Sequence, residues 1–138
     1  MQNVQSPRHD DEALEYEIAE KASVAPRVTP ADVEGAIISE HYFTAGDGHN
    51  GAAWLAVMDD LNGIVTAFDA PAAPRVLHLL TFCVLVLDNG FTVTGESACA
   101  SPENFDADIG RKVARANALN KVWPLLGFRL RDRLNASS

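Results

Sequence analysis

The hydrophobic pattern is sharpest between Leu79 and Cys99. The run Leu-Leu-Thr-Phe-Cys-Val-Leu-Val-Leu, Leu79 to Leu87, is apolar at both parities, as in a strand covered on two faces. Asn89-Gly90 follows, the dipeptide that a two-residue type I′ turn favours because both central positions need positive φ. Thr92 to Ser97 then alternates as a second strand. Pairing across a two-residue turn predicts Val86 opposite Val93 and Val84 opposite Gly95, with Leu87 facing Thr92 and Leu85 facing Thr94. A glycine inside a strand, Gly95, points to a bulge or a close approach of another backbone.

Downstream, Ser101 reads as an N-cap and Pro102 as a first helical residue. Ile109, Val113, Ala116 and Trp123 fall on one stripe, which Asn120 interrupts, and Arg111 and Arg115 lie nearly opposite it. Pro124 is expected to kink or restart the helix before Leu126, Leu130 and Leu134 extend an apolar face. Upstream, Thr29-Pro30-Ala31-Asp32 is a helix start, and Val33, Ala36, Ile37 and His41 predict a helix over 30–42. Thr44 to Gly51 reads as a glycine-rich mobile loop, Ala52 to Leu61 as a short helix stopped by Asn62-Gly63, and Pro71 to Pro74 as a linker or helix end. The fold class that follows is α+β: an N-terminal helix, an antiparallel hairpin or sheet, and a long C-terminal helix kinked at a proline. Residues 1–28 read as an acidic, disordered or loosely attached tail, and 29–138 as a single domain.

Charge changes this picture in one respect. The net charge of −8 excludes general binding to nucleic acid or an anionic membrane, both of which need a basic footprint. Yet Asp10, Asp11, Glu12, Glu15, Glu17 and Glu20 crowd the tail, while the segment from Arg111 to Arg133 holds Arg111, Lys112, Arg115, Lys121, Arg129, Arg131 and Arg133 against one acid, Asp132. Such asymmetry suggests one anionic ligand or one acidic partner surface. No apolar run approaches a membrane span, and the N-terminus lacks a signal pattern, so the expectation is a soluble, intracellular protein. The two cysteines, Cys83 and Cys99, have no metal-ligand spacing, and neither does Asp47 with His49, so no metal and no cofactor are expected.

Catalytic readings are weak. Glu96, Ser97 and Cys99 stand together, but the four histidines, His9, His41, His49 and His78, all lie in the earlier part of the chain. The binding reading is stronger. Arg111 and Arg115, four residues apart, suit a bidentate clamp on phosphate, although exposed pairs of this kind are most often solvated. Phe91 offers either core packing or a ring for a base to stack on, and Asn104 offers a cap or a hydrogen bond to a base edge. Nothing here is a phosphate-cradling GxxxxGK loop or a dinucleotide GxGxxG.

The segment Leu80 to Cys99, with Pro102 to Asp106, Gly110-Arg111-Lys112-Val113-Ala114-Arg115, Trp123-Pro124-Leu125 and Gly127, resembles a family of small tailed-phage and prophage proteins. The resemblance spans about Thr29 to Leu134, most weakly over 46–76, and leaves the acidic tail outside. It is also similar to the anti-Thoeris phage proteins, which sequester cyclic ADP-ribose signals without cleaving them. That resemblance implies homodimers assembled into a hexamer, with ligand pockets at subunit interfaces and, in some members, separate sites for cyclic trinucleotides. It implies phosphate contacts by Arg111 and Arg115, with Phe91 and Asn104 as the matching base contacts and Ser101 as a competitor. The alternative is an adaptor or inhibitor that grips a host protein through the basic C-terminal helix.

Overall fold

A computed structural model describes residues 8–21, 25–60 and 72–138. The elements run α1 (Arg8–Lys21), α2 (Pro30–Gly35), β1 (Ile37–Thr44), α3 (Ala45–Asp60), β2 (Leu80–Leu87), β3 (Thr92–Ala98) and α4 (Ala107–Ala136). Short 3₁₀ turns at Arg75–Leu79 and Pro102–Asn104 precede β2 and α4. The strands form one antiparallel sheet in the order β1-β2-β3, and α4 packs across β2 and β3. The architecture is α+β, as expected.

Local chemistry explains most of the element starts. Thr29 and Asp32 close a reciprocal capping box at α2, with Pro30 in the first turn. That helix lasts only to Gly35, however, and 37–44 is strand rather than a continuation of helix. Ile37, Ile38, Tyr42, Phe43 and Thr44 are β-branched or aromatic, and pairing with β2 overrides the helical spacing of Val33, Ala36 and His41. The expected loop at 44–51 is instead the start of α3. Thr44 and Asp47 form a second reciprocal box, 3.0 Å each way, which nucleates a helix through Gly46, Gly48 and Gly51. The predicted helix from Ala52 is the later part of α3; Leu61, the Asn62-Gly63 stop and Pro71 lie outside the described residues.

The hairpin forms, with its register one residue from the two-residue expectation. Gly90 N–H donates to Leu87 O at 2.9 Å and Leu87 N–H to Phe91 O at 2.8 Å. With Gly90 at φ 87, this is a three-residue loop closed by a glycine bulge. Val86 therefore faces Thr92, Leu85 faces Val93, Val84 faces Thr94 and Cys83 faces Gly95. The shift separates the two faces: Thr81, Cys83, Leu85 and Leu87 with Val93 and Gly95 are buried under α4, while Phe82, Val84 and Val86 with Thr92 and Thr94 look the other way.

Helix α4 starts later than expected, capped by Asp106, whose carboxylate accepts from Asp108 N–H and Ile109 N–H; Ser101 begins the preceding 3₁₀ turn and caps nothing. Its buried stripe is Gly110, Ala114, Ala118, Val122 and Leu126, one residue round from the predicted one. Ile109 and Val113 are exposed, and so is Asn120. The small residues let the helix touch the sheet. A Cβ on Gly95 would collide with the Ala114 carbonyl and the Ala118 backbone, so the close approach read from Gly95 is real. The helix runs unbroken through Pro124. Within the acidic tail, residues 8–21 form α1.

Candidate functional site

Arg115 and Arg111 flank the buried stripe of α4 on its β1 side, rather than lying opposite it. Arg115 reaches two carboxylates at once. Nη1 and Nη2 donate to the Glu34 carboxylate at 3.2 and 2.7 Å, and Nε and Nη2 donate to Glu40 at 3.0 and 2.9 Å. Glu40 also accepts from Tyr42 O–H at 2.7 Å. The Arg115 bonds hold the Glu40 carboxyl below the usual range, with Tyr42 adding to the effect, while the bonds to Glu34 and then Glu40 push the guanidinium pKa up. Burial, then the bond to Glu40, raises the Tyr42 hydroxyl, and burial raises the Cys83 thiol behind it. Both forks of Arg115 are thus spent inside the protomer, tying α2 and the sheet edge to α4.

Arg111 is freer. Its guanidinium lies 3.7 Å from Asp108 and its side chain is about half exposed. It borders a cleft of about 130 Å³ lined by Phe43, Thr44, Thr81 and Phe105. That volume is below the usual range for a small-molecule pocket. Asn104 is exposed in the 3₁₀ turn at the same end of α4. Phe91 stands at the other end, beside Leu125 and Phe128 in a separate groove. Fourteen residues of helix between Arg111 and Leu125 amount to about 21 Å, so a protomer brings Arg111 and Asn104 to one end and Phe91 to the other.

A larger opening lies between α2 and the last turns of α4. Arg27, Arg129 and Arg133 border a cleft of about 360 Å³ whose floor includes Val28, Ala36 and Leu126. Arg129 spends one N–H on Asp88 at 3.1 Å, Arg27 pairs with Glu15 on its outer side, and Arg133 makes no ion pair among the described residues. Asp32 and Asp88 give the cleft acceptors as well as donors. Sequence reading passed over these arginines individually because 18 residues of helix separate Arg111 from Arg129. Their signal was the i, i+4 spacing of Arg129 and Arg133 across from Arg27, which only the fold of α2 makes meaningful.

The model of the phage protein (N4 Gp49/phage Sf6 gene 66) family matches residues 28–134. The chain belongs to this phage protein family. The match takes in α2, the whole sheet, α4 as far as Leu134 and two of the three cleft arginines, Arg129 and Arg133; Arg27 lies one residue before it, and α1 lies outside. Neither the comparison with curated proteins nor that with solved structures finds a match. Among the described residues no helix is long and apolar enough to cross a membrane, and no group of three His, Cys, Asp or Glu side chains could hold a metal ion.

Proposed function

We propose that this phage protein is a non-catalytic binder that captures a nucleotide-type anion and withholds it from a host effector. The ligand class is the cyclic nucleotide immune messengers, glyco-cyclic ADP-ribose above all, to which the sequence resemblance points, with cyclic trinucleotides as a further member of that class. The observation that carries the reading is the arginine cleft. In a protein of net charge −8, three guanidinium groups border one opening of about 360 Å³, within the size range of small-molecule pockets. Guanidinium forks match phosphate oxygens, and the two aspartates suit ribose hydroxyls or a base amine, which an inorganic anion lacks. The cleft takes the role first given to Arg115, whose donors are committed to Glu34 and Glu40.

The half-exposed outer face of the sheet, with Phe43, Phe82, Val84 and Val86, supports self-association into the homodimer and hexamer that the resemblance implies. A different feature favours the adaptor reading. Phe91, Leu125 and Phe128 are 55, 37 and 70% exposed around one groove beside Arg129 and Asp132, an apolar spot on the basic helix that a host protein could cover.

Heating purified protein from infected cells and identifying what it releases by mass spectrometry separates the two. An intact cyclic nucleotide released in stoichiometric amount is expected. A hydrolysed product would make the protein an enzyme, and a co-purifying host protein without any small molecule would favour the adaptor.

A further inference from the structure

Helix α1 is an odd component. Its sequence carries six acids, and it meets a basic side chain, Arg27, that follows it in the chain. Glu15 and Ile18 are partly buried, while Leu14 and Tyr16 are 57 and 68% exposed. Beneath Leu14, Glu15 and Ile18 a void of about 610 Å³ remains, floored by Val28, Pro30 and Trp123. Packed protein interiors hold few voids larger than a water molecule, so apolar contact alone attaches α1 loosely. An ion pair adds to that attachment. The Glu15 carboxylate meets Arg27 at 2.5 Å, with side chains only 25 and 27% exposed, the most shielded pair of carboxylate and guanidinium among the described residues. Arg27 borders both this void and the arginine cleft.

We infer that α1 is an acidic strap that guards the arginine cleft, its Glu15 carboxylate holding Arg27 until an anionic ligand competes for that guanidinium and frees the helix. The inference rests on the cleft being the ligand site. Glu15 stands in for a ligand phosphate: each presents oxygens to the same fork, and Arg27 cannot serve both with full geometry. Binding is then coupled to release of α1, and ligand affinity is reduced by the fraction of molecules in which the strap is closed. Released, α1 also opens the void that Trp123 lines.

The test uses the full chain in a Trp54→Phe background, which leaves Trp123 as the sole tryptophan. Acrylamide quenching reports whether α1 closes the void that this ring lines, inorganic pyrophosphate is the probe for the cleft, and circular dichroism confirms that each variant is folded. Glu15→Gln should raise quenching to the level wild type reaches at saturating pyrophosphate, and should tighten pyrophosphate roughly three- to tenfold, the scale of one partly shielded ion pair. Arg27→Gln should raise quenching equally while weakening pyrophosphate, which separates opening the strap from improving the site. Unchanged quenching in both variants would overturn the strap, and so would equal pyrophosphate affinity in wild type and Glu15→Gln. No pyrophosphate binding in any variant would overturn the cleft itself and the guard with it.

Discussion

The two halves of α4 spend their cations differently. In residues 107–120 the helix lies flat on the sheet through Gly110, Ala114 and Ala118, and its central arginine is locked between Glu34 and Glu40. In residues 121–136 bulkier Val122 and Leu126 hold the helix, and Arg129 and Arg133 border an open cleft. The difference teaches that an arginine on a basic helix is not a binding residue by virtue of its charge. Where small residues bring the helix close to its neighbours, the guanidinium finds carboxylates of its own fold. Where larger residues and the edge of α2 hold the surfaces apart, it remains available.

The contrast breaks first where packing is closest. Gly95→Ala should cost about 3 kcal/mol or more, because the added methyl meets helix backbone that no rotamer change can move. Urea unfolding reads the loss. A matched Gly127→Ala in the second half should change stability little, since a Cβ there meets nothing.

Arg115→Ala should come next, lowering stability by about 1–3 kcal/mol by leaving two carboxylates without their charge-assisted bonds. It also changes the pH profile. The folded state holds Glu40 below its ordinary pKa of 4.5, so its contribution is full above that value and declines as pH falls through the depressed one. Acid titration of unfolding should show this decline in wild type and a shallower one in Arg115→Ala.

Arg133→Ala should leave stability within about 0.5 kcal/mol of wild type, as expected for an exposed residue with no ion-pair partner among the described residues. Its effect should appear in ligand affinity instead. Arg111→Ala and Phe91→Ala are expected to have the smallest effects, less than about a factor of two in affinity, because neither borders the cleft. A tenfold loss in either, by the same titration, would return the site to the small cleft beside Phe105 or to the hairpin tip.

Much of this fold was legible where chemistry is local. Thr29 with Asp32, the apolar run through β2, and the glycine in β3 each meant what their residue types suggest. The failures share a cause. Val33, Ala36, Ile37 and His41 fit helical spacing, but strand β1 is decided by β2, far along the chain. Asn89-Gly90 implied two loop residues, and the bond from Gly90 to Leu87 made it three, which moved every pair by one. The stripe on α4 was misplaced because Gly110, Ala114 and Ala118 are buried for their smallness, not their hydrophobicity. Of the candidate site, the basic helix was visible. Which arginines are free was not, because their partners Glu34 and Glu40 are about 80 residues away in sequence.

The most direct test is calorimetric titration of wild type, Arg133→Ala and Arg115→Ala with the cyclic ADP-ribose isomers, on proteins shown to be folded. The account predicts saturable binding without turnover, a loss of roughly tenfold to a hundredfold in Arg133→Ala, and an affinity in Arg115→Ala close to wild type. An affinity that falls in Arg115→Ala and holds in Arg133→Ala would contradict it.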